Sequence, residues 1–206
     1  MFKKLLYKTF FIMMAAGVSL AAPKPALLQS PDDWTLKLTF EHPKRVEGRV
    51  PGKKEPGFFW YTILTITNNS KDDVPFYPQC ELMTDTFQIL PEGRAATKQI
   101  YQRIKKRHHS GYPFLETLDQ AGNRILQGEN NTRDVALVWP DFDTRASEIK
   151  IFISGLSSEI AVVTHPLTAE KVYLRKTLEL SYQLRGDPAI RSSLHTKYKG
   201  KRWVMR

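Results

Sequence analysis

Trp34-Thr35-Leu36-Lys37-Leu38-Thr39-Phe40 alternates apolar and polar side chains without a fault, the period-two pattern of a strand with one buried face. Phe58-Phe59-Trp60-Tyr61-Thr62-Ile63-Leu64-Thr65-Ile66-Thr67 is aromatic and β-branched throughout, which predicts a central strand covered on both faces. The polar run Asn68–Asp73 closes it in a turn. Val74–Tyr77 and Cys80–Thr84 continue in extended form, but Pro75 and Pro78 remove ladder donors and make this stretch edge-like or bulged. Further strands are expected at Arg133–Trp139, Glu148–Ser154 and Val172–Leu184, with a short last one at Arg202–Met205. Ile149, Ile151 and Ile153 point one way, and Val172, Leu174, Leu178, Leu180, Tyr182 and Leu184 share a face.

One segment keeps a different period. Between residues 95 and 109, Ala96, Ile100, Tyr101 and Ile104 recur at helical spacing on a narrow stripe, and Gly111 and Pro113 stop it. Short strands, frequent turns and a single helix predict a mainly-β fold: one antiparallel β-sandwich, Ig-like in the broad sense, with one inserted α-helix. Trp34, Leu36, Leu38, Leu64, Ile66, Ile151, Ile153, Leu178 and Leu180 are its expected core.

The start of the chain reads as an address. A basic stretch with Lys3, Lys4 and Lys8 precedes the apolar run Phe10–Val18, and Ser19-Leu20-Ala21 offers the small residues of a signal-peptidase site. The reading is residues 1–21 as an export signal cleaved after Ala21, 22–31 as a flexible lead-in, and 32–206 as the sandwich. Cleavage lowers the 31 basic residues to 28 against 21 acidic ones, a formal charge of +7 instead of +10. No stretch reaches the roughly 20 apolar residues that span a bilayer. Cys80 is the single cysteine, so an exported chain has no internal disulfide and depends on an ordinary core.

Few residues carry a chemical pattern. Cys80 has five histidines as prospective bases, yet it alternates with Leu82 in an apolar strand, where free cysteine behaves as a small core residue. Asp141, Asp143 and Glu148 form the one acidic group suited to acid–base work on a glycosidic bond; the competing reading is a turn after Pro140 with aspartates capping backbone amides. Calcium-loop spacing fails there, because Arg145 and Ala146 occupy positions for acid and glycine. Adjacent His108 and His109 diverge on a helix and do not chelate. No metal and no cofactor is expected. Lys105-Lys106-Arg107 reads as a solvated helix C-terminus.

The basic C-terminal stretch carries the remaining candidate. Lys197, Lys199 and Lys201 share one face of an extended segment with Tyr198 opposite, followed by Arg202 and Trp203. Such a row either binds an anionic surface or guards an edge strand against aggregation.

The Trp60–Ser70 run, Glu81-Leu82-Met83-Thr84-Asp85-Thr86, Ile151–Ser157, Leu174–Leu178 and the closing Lys201–Arg206 together resemble uncharacterised exported proteins of planctomycete-like bacteria. The resemblance implies a periplasmic or envelope setting and a β-sandwich, and assigns no functional residue. The expected function is a non-enzymatic envelope module that binds a partner protein or an anionic polymer. Acidic polysaccharide or anionic lipid headgroups precede nucleic acid, which export argues against. A hydrolase of envelope glycans using Asp141, Asp143 and Glu148 is the alternative.

Overall fold

The structure, a computed structural model, describes residues 25–206 other than 53, 95, 188 and 189. The expected export signal lies outside these residues. In chain order the elements are β1 (Ala26–Leu28), β2 (Lys37–Phe40), β3 (Lys44–Arg49), β4 (Pro56–Thr67), β5 (Val74–Pro75), β6 (Gln79–Thr84), β7 (Ile89–Pro91), α1 (Lys98–His108), β8 (Glu116–Thr117), β9 (Arg124–Ile125), β10 (Arg133–Pro140), β11 (Glu148–Ser154), β12 (Ile160–Thr164), β13 (Lys171–Arg185) and β14 (His195–Met205).

β4 organises the fold because both of its alternating faces are apolar. Trp60, Leu64 and Ile66 enter one buried cluster, and Phe59, Tyr61 and Ile63 enter another. Its sheet runs β2-β4-β10-β8, with β3 also paired to β4. The second sheet runs β1-β12-β13-β11-β6-β7, with β14 also paired to β13. Ile149, Ile151 and Ile153 of β11 and Leu178, Leu180, Tyr182 and Leu184 of β13 meet Trp60, Leu64, Val135, Leu137 and Trp139 between the sheets. This is the sandwich. Pairing is antiparallel throughout the two sheets except between β8 and β10.

The other face of the β4 sheet is closed by α1. Ile100 and Ile104 are fully buried against Val46, Phe59, Tyr61, Ile63 and Val138. A Cβ on Gly48 would fall 1.9 Å from Ile100 Cδ1, so glycine on β3 is what lets the helix approach. Tyr101 donates to Glu92 Oε1 at 2.8 Å, and that oxygen also accepts the Val138 amide at 3.3 Å. Burial raises the Glu92 carboxyl above its ordinary range.

Several expectations need correction. The lead-in contains β1, which pairs with β12 and extends the folded unit ahead of residue 32. The basic connection after Phe40 contains β3. The helix is Lys98–His108, shorter than 95–109. Trp34, ahead of β2, and Leu38, on β2 at the edge of its sheet, are half-buried against the core; the other expected core residues are buried. The terminal strand begins at His195, not Arg202.

Candidate functional site

The three acidic candidates are each engaged separately. Asp141 Oδ1 accepts Trp60 Nε1 at 2.9 Å, and Phe142 stacks on the same indole with centroids 5.3 Å apart. Asp143 takes a fork from Arg145 at 3.1 and 2.8 Å and the Arg145 backbone amide at 2.9 Å. The Arg145 hydrogen bonds hold its carboxyl far below the usual range. Glu148 Oε1 accepts Lys199 Nζ at 2.7 Å. Asp143 thus caps a backbone amide, while Asp141 holds an indole and Glu148 an ammonium.

Cys80 is buried opposite Ile153, and burial, then Glu92 and Glu81, push its thiol far up. Such a thiol is not a nucleophile at neutral pH. His108 Nε2 lies 2.9 Å from the Tyr61 hydroxyl at the end of α1. Burial lowers its pKa, as do Lys44 and Arg107, against an opposing pull from Glu41. Among the described residues no group of three His, Cys, Asp or Glu is placed to hold a metal.

The C-terminal stretch departs from a simple alternation. β14 pairs with β13 along Lys176–Arg185, and the register shifts where Ser181 faces Gly200 but Tyr182 faces Tyr198. Lys199 is the extra residue of a β-bulge, and Gly200 beside it has φ 149°, a conformation side chains disfavour. The bulge overturns the expected lysine row. Lys201 and Trp203 fall opposite Leu180 and Leu178, on the same face as Tyr198. Lys199 and Arg202 lie over the other face, paired with Glu148 at 2.7 Å and Glu179 at 2.8 Å.

On the Tyr198 face a seam opens between the two sheets. His42, just past β2, stacks on Tyr198 at 5.1 Å and meets Tyr182 edge-on at 5.7 Å. Phe40 packs against Tyr198 at 5.9 Å, and Lys201 Nζ sits 6.0 Å from the Phe40 centroid. Lys176 Nζ lies 5.1 Å over Trp203. Tyr198 and Trp203 remain 36% and 40% exposed. The Tyr182 hydroxyl is buried without a hydrogen-bond partner among the described residues, and burial raises its pKa.

The seam continues into a depression of about 360 Å³ lined by His42, Lys44, Arg45, Trp60, His195 and Thr196, where Lys44 pairs with Glu41 at 3.0 Å. Arg45 places its guanidinium 5.4 Å from the Trp60 centroid and donates to the Ser192 carbonyl at 2.6 Å. Thr196 Oγ1 donates to the Pro43 carbonyl at 3.1 Å, tying β14 to the turn between β2 and β3. The groove over the opposite face of β13, which β14 borders from Lys199 to Arg202 with Lys201 included, mixes signs instead, with Glu148 and Glu179 among Lys150, Lys199 and Arg202.

No family model, curated protein or solved structure matches the chain. The site is therefore read from its own chemistry. It offers two partly exposed aromatic rings, Tyr198 and Trp203, with cations beside them and a concave end. Of its members, Lys201 and Trp203 are legible in the sequence; Phe40, His42, Arg45 and Tyr182 are not, because nothing local links them to β14.

Proposed function

We propose that this chain is an exported, non-enzymatic envelope module that binds an acidic polysaccharide along the seam between β14 and the β2–β3 turn. One observation carries the reading: the bulge at Lys199 places Tyr198, Lys201 and Trp203 on one face, alongside His42. Aromatic faces pack against the C–H faces of sugar rings, while Lys201 supplies charge for carboxylate or sulfate groups. Export is supported by the basic and apolar pattern of residues 1–21. The competing glycan hydrolase is disfavoured by the separate engagement of Asp141, Asp143 and Glu148.

The test is affinity electrophoresis of the purified chain in gels containing polygalacturonate, a sulfated galactan or neutral dextran. Retardation is expected in the two acidic gels, weakening as salt rises, and is lost in Tyr198→Ala/Lys201→Gln. Equal retardation in dextran, or none lost in the double variant, overturns the reading.

A further inference from the structure

The charge of the chain is lopsided. Within residues 25–206, the segments 41–55 and 94–109 hold eleven basic and three acidic side chains, whereas the remainder holds sixteen and eighteen. Those two short segments therefore carry +8 and everything else −2. The fold joins them as β3 and α1. Ile100 packs against Gly48, Arg103 donates to the Glu47 carbonyl at 2.6 Å, and Arg107 donates to the Arg45 carbonyl at 2.9 Å. The helix thus lies antiparallel along β3, its C-terminal end beside Arg45 and its N-terminal end beside Arg49.

The fold does not balance this charge. Of the three acids, Glu41 is taken by Lys44 at 3.0 Å and by Tyr112 at 2.9 Å. Arg49, Lys98, Arg103, Lys105, Lys106 and Arg107 are exposed and form no ion pair among the described residues. α1 contains no acidic residue, so no Glu–Lys pair offsets the repulsion of Arg103 and Arg107 at i, i+4. Lys98 adds a cation to the first turn, the positive end of the helix dipole, where an acid would stabilise. Elsewhere the same chain meets its cations with carboxylates, as at Glu148, Glu159 and Glu179.

We propose that the α1–β3 face is a second, purely electrostatic contact for the acidic polysaccharide held in the seam, engaged once the polymer is long enough to cross β3. The class of polymer rests on the seam reading. Arg45 joins the two surfaces: its side chain lines the depression at the end of the seam, and its carbonyl holds Arg107. From there the path follows the eleven residues of α1, a length of ~16 Å. It ends at Lys98 and at two hollows of about 430 and 490 Å³ that share Arg49, the second with Lys54, Arg103 and Glu47 in its wall.

The surface suits a repeating polyanion. No apolar side chain of α1 is exposed, so a protein partner finds no aromatic or aliphatic anchor and a bilayer receives no inserted side chain. Neighbouring cations on one helix turn fall within the ~8 Å Debye length, so their fields add. Once the seam holds one stretch of polymer, the next arrives at high effective concentration, and contacts too weak to hold a chain alone still tighten the complex.

The test is titration calorimetry with hexagalacturonate and with polygalacturonate at ~50 mM and ~500 mM salt. At low salt the parent is expected to bind the polymer at least about tenfold more tightly per site than the hexamer, and to lose most of that margin at high salt. Lys98→Gln/Lys105→Gln/Lys106→Gln changes only exposed side chains. It is expected to bind the hexamer as the parent does and the polymer without the margin. An unchanged margin in this variant, or an equal loss on hexamer and polymer, overturns the proposal. Lysine-dependent capture by phosphatidylglycerol vesicles or duplex DNA, with the polymer ignored, assigns the face to another polyanion and also overturns it. Polymer binding that needs the three lysines but survives Tyr198→Ala/Lys201→Gln, with the hexamer unbound, refutes the seam and keeps the helix face as the polymer's site.

Discussion

The two sheets expose outer faces of opposite kinds. Beyond β4 and β10 the outer positions are Phe59, Tyr61, Ile63, Ala136 and Val138, and α1 buries them. Beyond β11 and β13 they are Glu148, Lys150, Phe152, Glu179 and Ser181, and they are paired instead of covered: Glu179 meets Arg202 at 2.8 Å and Lys150 at 3.5 Å, and Arg206 meets Glu81 at 2.7 Å. The first face needs a third layer, because unburied aromatic and aliphatic surface on this scale is not left to water in a monomeric domain. The second can face solvent. Hydrophobic burial holds one and local charge balance the other.

Substitutions test that division, beginning with the covered face. Ile104→Ala is expected to cost about 2–5 kcal/mol in urea denaturation, as much as Ile151→Ala between the sheets. A near-zero value for Ile104 makes the helix an ornament on a self-sufficient sheet. Gly48→Ala, which drives a methyl into Ile100, is expected to cost about 1–3 kcal/mol. Shortening the intruded side chain in Gly48→Ala/Ile100→Val recovers part of the loss, and strict additivity of the two changes refutes the contact.

On the paired face, Glu179→Gln is expected to cost about 1–3 kcal/mol, because the almost fully buried carboxylate holds Arg202, Lys150 and Ser181. Its hydrogen bonds and cations outweigh burial and lower its pKa. Lys199→Gln breaks a pair exposed on both sides and is expected to change stability by less than about 1 kcal/mol. Equal costs for the two would mean that position on the sheet does not matter.

Glu92 separates the layers by pH. Burial raises its carboxyl, so its contribution to stability is complete below the unfolded value of about 4.3 and is lost as pH rises through the higher folded value. Glu92→Gln keeps the oxygen that receives Tyr101 and the Val138 amide. The variant is expected to melt higher than the parent at neutral pH and to lose that advantage near pH 4. A constant offset across the range contradicts a charge effect.

What the sequence discloses follows from the same contrast. β4, β10, β11 and β13 are legible because burial on one or both faces writes a periodic pattern, and α1 because Ile100 and Ile104 face one sheet. Cys80 is legible as core for the same reason. β3 is not legible: its inward positions are Val46 and Gly48, and the glycine answers to a helix about 50 residues later, a tertiary cause with no local period. β1, β7, β8 and β9 are too short to show a period. In the C-terminal stretch the cations and Trp203 are visible, but the bulge at Lys199 inverts the faces after Tyr198, and the partners Phe40 and His42 come from the far end of the chain.

The seam is tested most directly by residue-resolved NMR titration of the chain with an acidic oligosaccharide such as hexagalacturonate. Shifts are expected at the His42 ring, the Tyr198 and Lys201 amides and the Trp203 indole, while Lys150, Glu179 and Arg202 on the paired face stay still. Shifts confined to that paired face, or none at saturating ligand, contradict the assignment.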